Sequence, residues 1–250
     1  MRLILCLLGW LAGLWPALGQ PVPTAPAPVE SATSGWQRVS MPGAPSRSRP
    51  TGPVAYHPAF TGDFVMNRTG WFAGTRGGYH YQIGFGKYNV RQVGPAPGSR
   101  AFSAVPLPAD INLNLADYFT IKVDVVADSG RIPNGGLVFG VLDSLNYCSF
   151  TLNPDGTMAL ARVVDGRQTD PILTGLTLNP GVPVVPNRNQ LILRRVDRAL
   201  HVFINQREVR GSPFAFEQLP GNGIGITAGG DWTSFQKLLV TLGPDQWSRR

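Results

Sequence analysis

Tyr118–Val126 reads YFTIKVDVV. Phe119, Ile121, Val123 and Val125 alternate with Thr120, Lys122 and Asp124, and successive side chains of an extended chain point to opposite faces. That period of two predicts a half-buried strand. Downstream, Gly136–Leu142 (GLVFGVL) is apolar on both faces, as a central strand of a packed sheet should be, and Tyr147–Leu152 puts Cys148, Phe150 and Leu152 on one side. Asn153-Pro154-Asp155-Gly156 is a turn, because Pro presets φ and Gly accepts φ > 0. Met158–Val164 runs to a second turn at Asp165-Gly166. Gln190–Val196 and Leu200–Asn205 bracket a hairpin at Asp197-Arg198, and Gly223–Ala228 and Phe235–Leu242 close the series. No long stretch carries a clean helical period. Hairpins at this spacing predict an all-β fold, a sandwich of two antiparallel sheets.

The rest of the 250-residue chain frames that unit. Met1–Gly19 (MRLILCLLGWLAGLWPALG) has a cation at Arg2, an apolar run from Leu3 to Trp15, and small residues before a cleavage point after Gly19. It is the pattern of a signal peptide, and the run is shorter than the ~20 residues a membrane-spanning helix needs. Cys6 stands at the beginning of the apolar run, where a lipidated cysteine would not. Cleavage leaves Cys148 as the single cysteine, no internal disulfide and no transmembrane segment. Gln20–Pro53 holds eight Pro in 34 residues and reads as an extended linker. Its Gly35–Met41 patch is open to two readings, a docking strand or a stray apolar segment. The expected organisation is therefore 1–19 signal peptide, 20–53 linker, 54–245 sandwich and 246–250 tail, with export to the periplasm or the exterior.

Charge excludes some function classes. The chain carries net +7, from 19 Arg and only three Lys; without leader and linker, 18 cations face 14 anions, about +4. The Arg are dispersed, with no basic stripe and no recognisable nucleic-acid module, so nucleic acid is not an expected partner. Charged residues at 15%, with 30 Gly and 23 Pro, fit many short strands joined by turns and exclude a helical bundle. Hydrophobic residues at 43% exclude a disordered chain.

The order of residues resembles the concanavalin A-like lectin/glucanase sandwich, in its bacterial laminin-G-like or 3-keto-disaccharide hydrolase-type branch. The resemblance is carried by Gly62-Asp63-Phe64, Gly70-Trp71, Tyr81-Gln82-Ile83 with Gly86-Lys87-Tyr88, and Tyr118–Val125. It continues through Gly136–Gly140, Asp143–Tyr147, Asp155-Gly156, Leu191–Arg195, Val202–Asn205, Gly223–Ile226 and Phe235–Val240. It implies a jelly-roll of two curved sheets, a concave face that holds sugar, and first and last strands lying side by side.

Glucanases of that shape carry two Glu and an Asp on one strand, and a retaining glycosidase needs two carboxyls about 5–5.5 Å apart. The chain has only Glu30, Glu208 and Glu217, and the last two flank a loop without sharing a strand face. No catalytic residue is therefore assigned. His57, His80 and His201 lack zinc spacing, and no Asp-rich loop marks calcium, so neither a metal nor a cofactor is expected, although such folds can hold calcium. His201 reads as an outward-facing, satisfied histidine, and Cys148 as a buried small hydrophobe.

Recognition chemistry remains. Sugar sites combine aromatic faces with planar polar groups that meet hydroxyls. Trp232, in the loop-like Gly229–Thr233, is the leading contact candidate. Tyr147, Asn146, Asp143, Arg195, Arg162 and Asn205 complete the candidate ligand-binding set. Several have structural readings beside the functional one: Trp71 and Tyr147 as core, Asp143 and Asn146 as turn caps, Asn205 as a residue chosen for φ > 0. The leading functional expectation is an exported non-catalytic module binding carbohydrate or another extracellular polymer. The alternatives are a hydrolase or lyase acting on a modified disaccharide, through a spatial cluster such as His201 with Asp143, and an envelope structural or adhesion protein.

Overall fold

A computed structural model describes residues 59–243 apart from 97, 129, 170–176, 216–218 and 231. The expected leader, linker and tail lie outside the described residues, as does Glu217. The described chain is all strand and turn. The first strands are β1 (Ala59–Gly62), β2 (Gly74–Arg76), β3 (Tyr79–Gly84), β4 (Lys87–Gln92), β5 (Ala101–Pro106) and β6 (Tyr118–Val126). Next come β7 (Gly135–Asp143), β8 (Asn146–Leu152), β9 (Met158–Val164), β10 (Arg167–Thr169) and β11 (Arg188–Val196). The last are β12 (Ala199–Ile204), β13 (Arg207–Glu208), β14 (Phe214–Ala215), β15 (Gly223–Ala228) and β16 (Trp232–Leu242).

They form two antiparallel sheets, the sandwich that the strand periodicity predicts. One runs β13-β12-β11-β6-β16-β4-β3-β2, with β1 also paired to β16 and β14 to β12; the other runs β10-β9-β8-β7-β15-β5. First and last described strands lie side by side, Ala59 opposite Thr241. Phe119, Ile121, Val123 and Val125 are completely buried between the sheets, where they meet Leu137, Phe139, Phe150 and Ile226. Each such side chain contributes roughly 1.5–3 kcal/mol on burial. Gly136 is required where β7 passes β8, because a Cβ there would sit 1.9 Å from the Phe150 carbonyl oxygen.

The polar side of β6 departs from the half-buried expectation. Asp124 and Thr120 are each only 2% exposed although they face away from the core. The reason is lateral: Arg188 ion-pairs with Asp124, and Gln190 Nε2 donates to its Oδ1 at 3.2 Å. Both come from the neighbouring strand β11, so the carboxylate is buried with its partners supplied.

Candidate ligand-binding face

Strand pairing places three rows of side chains on the outer face of the larger sheet, at β3, β4 and β16. His80, Arg91 and Trp232 stand opposite one another in the first row. Gln82, Asn89 and Ser234 form the second, and Gly84 and Lys87 the third. The intervening residues Tyr81, Tyr88, Val90 and Phe235 point into the core, so the alternation that builds the core also delivers this polar face.

The same core fixes the β3–β4 hairpin. Tyr88 packs at 5.5 Å from Phe64 and 5.4 Å from Trp71 between ring centroids, and Tyr81 meets Phe72 edge-on at 5.2 Å. The Tyr88 hydroxyl bonds the Phe72 carbonyl at 2.6 Å and Ser103 Oγ at 2.7 Å, and burial raises its pKa above the ordinary tyrosine value. A hairpin anchored by five packed rings presents its outer residues on a stiff base.

An open depression of about 860 Å³ lies over these rows. Its rim includes Trp232, Lys87, Arg91 and Arg131, with Asp128 the single carboxylate in the lining. Phe85, at the hairpin tip, is 99% exposed with φ 54°. A ring held out in water on a left-handed turn residue is unusual for an aromatic side chain. Asn89, in the lining, keeps its Oδ1 without a hydrogen-bond partner among the described residues. Buried polar atoms are nearly always paired, so this amide retains capacity that a ligand can use. Ser234, its neighbour across the ladder, is completely buried outside the lining, and its Oγ also lacks a partner among the described residues.

The structure does not bring the seven residues singled out from sequence into one site. Trp232 borders the depression, but as the first residue of β16 and half-buried, because its pairing with Arg91 extends the strand back into what reads as a loop. Asp143 and Asn146 close the β7–β8 turn: Asp143 Oδ1 accepts from Leu145 N–H at 2.7 Å and from Asn146 Nδ2 at 3.0 Å. These bonds hold the Asp143 carboxyl below the usual range, the one from Leu145 contributing most. Tyr147 is partly exposed on the outer face of the smaller sheet, its ring 5.0 Å from Phe102, since the adjacent Cys148 takes the core-facing position. Trp71, in contrast, is core.

Arg162 pairs with Cys148 and therefore shares its inward face; burial pushes the Cys148 thiol up to about 12. Arg195 turns its guanidinium onto backbone, donating to the Asp197 carbonyl at 2.7 Å and the Leu113 carbonyl at 3.3 Å. Asn205 has φ 51°. It accepts from Gln190 N–H at 2.9 Å and donates to Asn189 Oδ1 at 2.8 Å.

A second depression of about 380 Å³ lies further along the same outer face, lined by Lys122, Gln190, Ile192, Arg194, Phe203 and Gln206. Beside it His201 Nδ1 lies 2.7 Å from Glu208 Oε1, and Ser212 Oγ donates to the same oxygen at 2.7 Å. The carboxylate sits between serine and histidine, and the serine oxygen also accepts from Val202 N–H at 3.0 Å. This order orients a turn; a nucleophile would need the histidine next to the serine. His201 and Asp143 stand on different sheets. Among the described residues no group of three or more His, Cys, Asp or Glu could hold a metal ion, and no helix is long and apolar enough to cross a membrane.

Gln82, Phe85, Asn89 and Arg91 were not among the sequence candidates. Their signal is the alternation in Tyr79–Gln92, YHYQIGFGKYNVRQ, whose odd members after the turn face outward with Trp232.

Fold and site together define a two-sheet antiparallel β-sandwich with a polar, aromatic-rimmed depression over β3, β4 and β16 on the outer face of its larger sheet. No protein-family model matches the chain, and no curated protein does. Among solved structures it is similar to the carbohydrate-binding module CBM66 from Bacillus subtilis, at 16% identity, covering 69% of this chain and 95% of that one with TM-score 0.46. It is also similar to the Crh5 transglycosylase in complex with NAG (13%, 75% and 84%, TM-score 0.47) and to sheep galectin-11 in complex with glycerol (16%, 58% and 98%, TM-score 0.36). Likenesses of this size carry no argument about ligand or activity.

Proposed function

We propose that the chain is an exported, non-catalytic β-sandwich module that binds a glycan or another extracellular polymer, in the manner of concanavalin A-like and laminin-G-like domains. The signal-peptide pattern of Met1–Gly19 supports export to the periplasm or beyond. The observation that carries the binding reading is the 860 Å³ depression, where Asn89, with its Oδ1 unpartnered, stands between Trp232 and the hairpin that carries Phe85. A sugar hydroxyl can donate to that oxygen, while an indole covers the apolar face of a pyranose ring.

The test is a glycan-array screen of the full chain beside Trp232→Ala. Saturable binding that the substitution weakens by about 1–3 kcal/mol, the scale of one large aromatic contact, supports the reading. Absence of binding to every glycan, or binding indifferent to Trp232, overturns it. Fragments released from a bound glycan would reassign the chain to the hydrolase or lyase alternative.

A further inference from the structure

Resting on the glycan reading of this depression, we infer that its ligand is an acidic polysaccharide, a polymer bearing carboxylate or sulfate, gripped by Lys87 and Arg91 across two successive charged units. Three cations, Lys87, Arg91 and Arg131, line the depression against one carboxylate, Asp128. Among the described residues no carboxylate pairs with Lys87 or Arg91. The same outer face elsewhere disposes of its charge differently: Asp124 is engaged by Arg188, and Glu208 by His201. At β4 the positive charge is left for something outside the domain.

Geometry sets the length scale. Lys87 and Arg91 lie four residues apart on one strand, ~13 Å at ~3.3 Å per residue. Standing off the sheet, the two side chains hold their charges about that far apart, a span that charges on different units of a polymer match. Between them stands Asn89, whose buried Oδ1 calls for a hydroxyl donor. This separates an acidic sugar polymer from a DNA strand. A phosphodiester backbone offers acceptors to the cations but no hydroxyl to Asn89, while an acidic polysaccharide brings anion, hydroxyl and apolar ring face together.

The experiment measures binding of the full chain to polygalacturonate, alginate and dextran sulfate. Each is set against its uncharged counterpart (the two methyl esters and plain dextran), with single-stranded DNA as a further polyanion. At least one acidic polymer is expected to bind about tenfold or more tightly than its counterpart, with affinity falling between about 50 and 200 mM salt. The double variant Lys87→Gln, Arg91→Gln is expected to abolish that preference and flatten the salt dependence, with an unchanged urea midpoint. Whether carboxylated or sulfated polymer binds better identifies the anion. Equal, Trp232-dependent binding of charged and uncharged forms overturns the inference and leaves the glycan reading standing. No binding to any polysaccharide overturns both. DNA bound as tightly as any acidic polysaccharide overturns the inference in favour of a general polyanion surface.

Discussion

Ser234→Ala is expected to make the domain more stable and to leave its ligand binding unchanged. Ser234 is completely buried, and its Oγ has no hydrogen-bond partner among the described residues. Burying a hydroxyl without a partner costs about 1–3 kcal/mol. Alanine occupies nearly the same volume, so the substitution removes that cost without opening a cavity. A gain of about 1 kcal/mol is expected, equivalent to ~2–4 °C in Tm for a domain of this size. Ser234 stands outside the lining of the depression, so glycan affinity should stay within about twofold. Ser103→Ala is the internal control. Ser103 is as deeply buried, 1% exposed, but its Oγ pairs with the Tyr88 hydroxyl at 2.7 Å, so the same chemical change there should cost about 1–2 kcal/mol. Urea unfolding of the three proteins at constant m-value, with titration calorimetry against the best array glycan, measures both effects. If Ser234→Ala loses stability like Ser103→Ala, or if it weakens glycan binding, the reasoning about its buried hydroxyl is refuted.

Other residues have sharper structural than functional predictions. Asn205→Ala should destabilise by about 2–3 kcal/mol, since it strands Gln190 N–H, removes one of the two donors to the fully buried Asn189 Oδ1 and puts alanine at φ 51°. Denaturation reads that loss, and glycan affinity should stay within about twofold. Gly136→Ala should leave the chain insoluble or unfolded in expression trials, because the new Cβ would lie 1.9 Å from the Phe150 carbonyl oxygen. Burial pushes the Glu208 carboxyl up, but hydrogen bonds from Ser212 and His201 outweigh it and hold its pKa below the ordinary 4.5. A depressed carboxylate stabilises the fold above that ordinary value and loses the contribution as pH falls through the folded one. Urea midpoints followed from neutral pH down through that range should therefore fall less steeply in Glu208→Gln than in the parent.

The fold was legible because sandwich strands record their burial in a period of two. Tyr118–Val126, Met158–Val164 and Gly223–Ala228 occupy the residues their patterns give. The boundaries that moved did so through pairing, which a strand's own residues do not encode. Trp232 reads as loop after Gly229-Gly230, yet Arg91 across the ladder holds it in β16. Asp124 reads as a solvated strand residue and is buried by two neighbours that only the β6–β11 register brings to it.

The site was less legible for a related reason. The strand pattern says which residues face outward, but the order of strands decides which outward residues share a patch of water. Lys87, Asn89 and Arg91 announce an outer face by alternation alone, yet nothing near them in sequence points to Ser234 or Trp232, which arrive through a late strand inserted between β4 and β6. Turn residues misled for the opposite reason. Asp143, Asn146 and Asn205 have the chemistry of sugar contacts, and the backbone consumes that chemistry locally. Side-chain type therefore separates candidates poorly; what separates them is whether their hydrogen-bonding capacity is already used. By that criterion Asn205 is scaffold, whereas Asn89, in the lining of the depression, keeps an amide oxygen that the protein has not used.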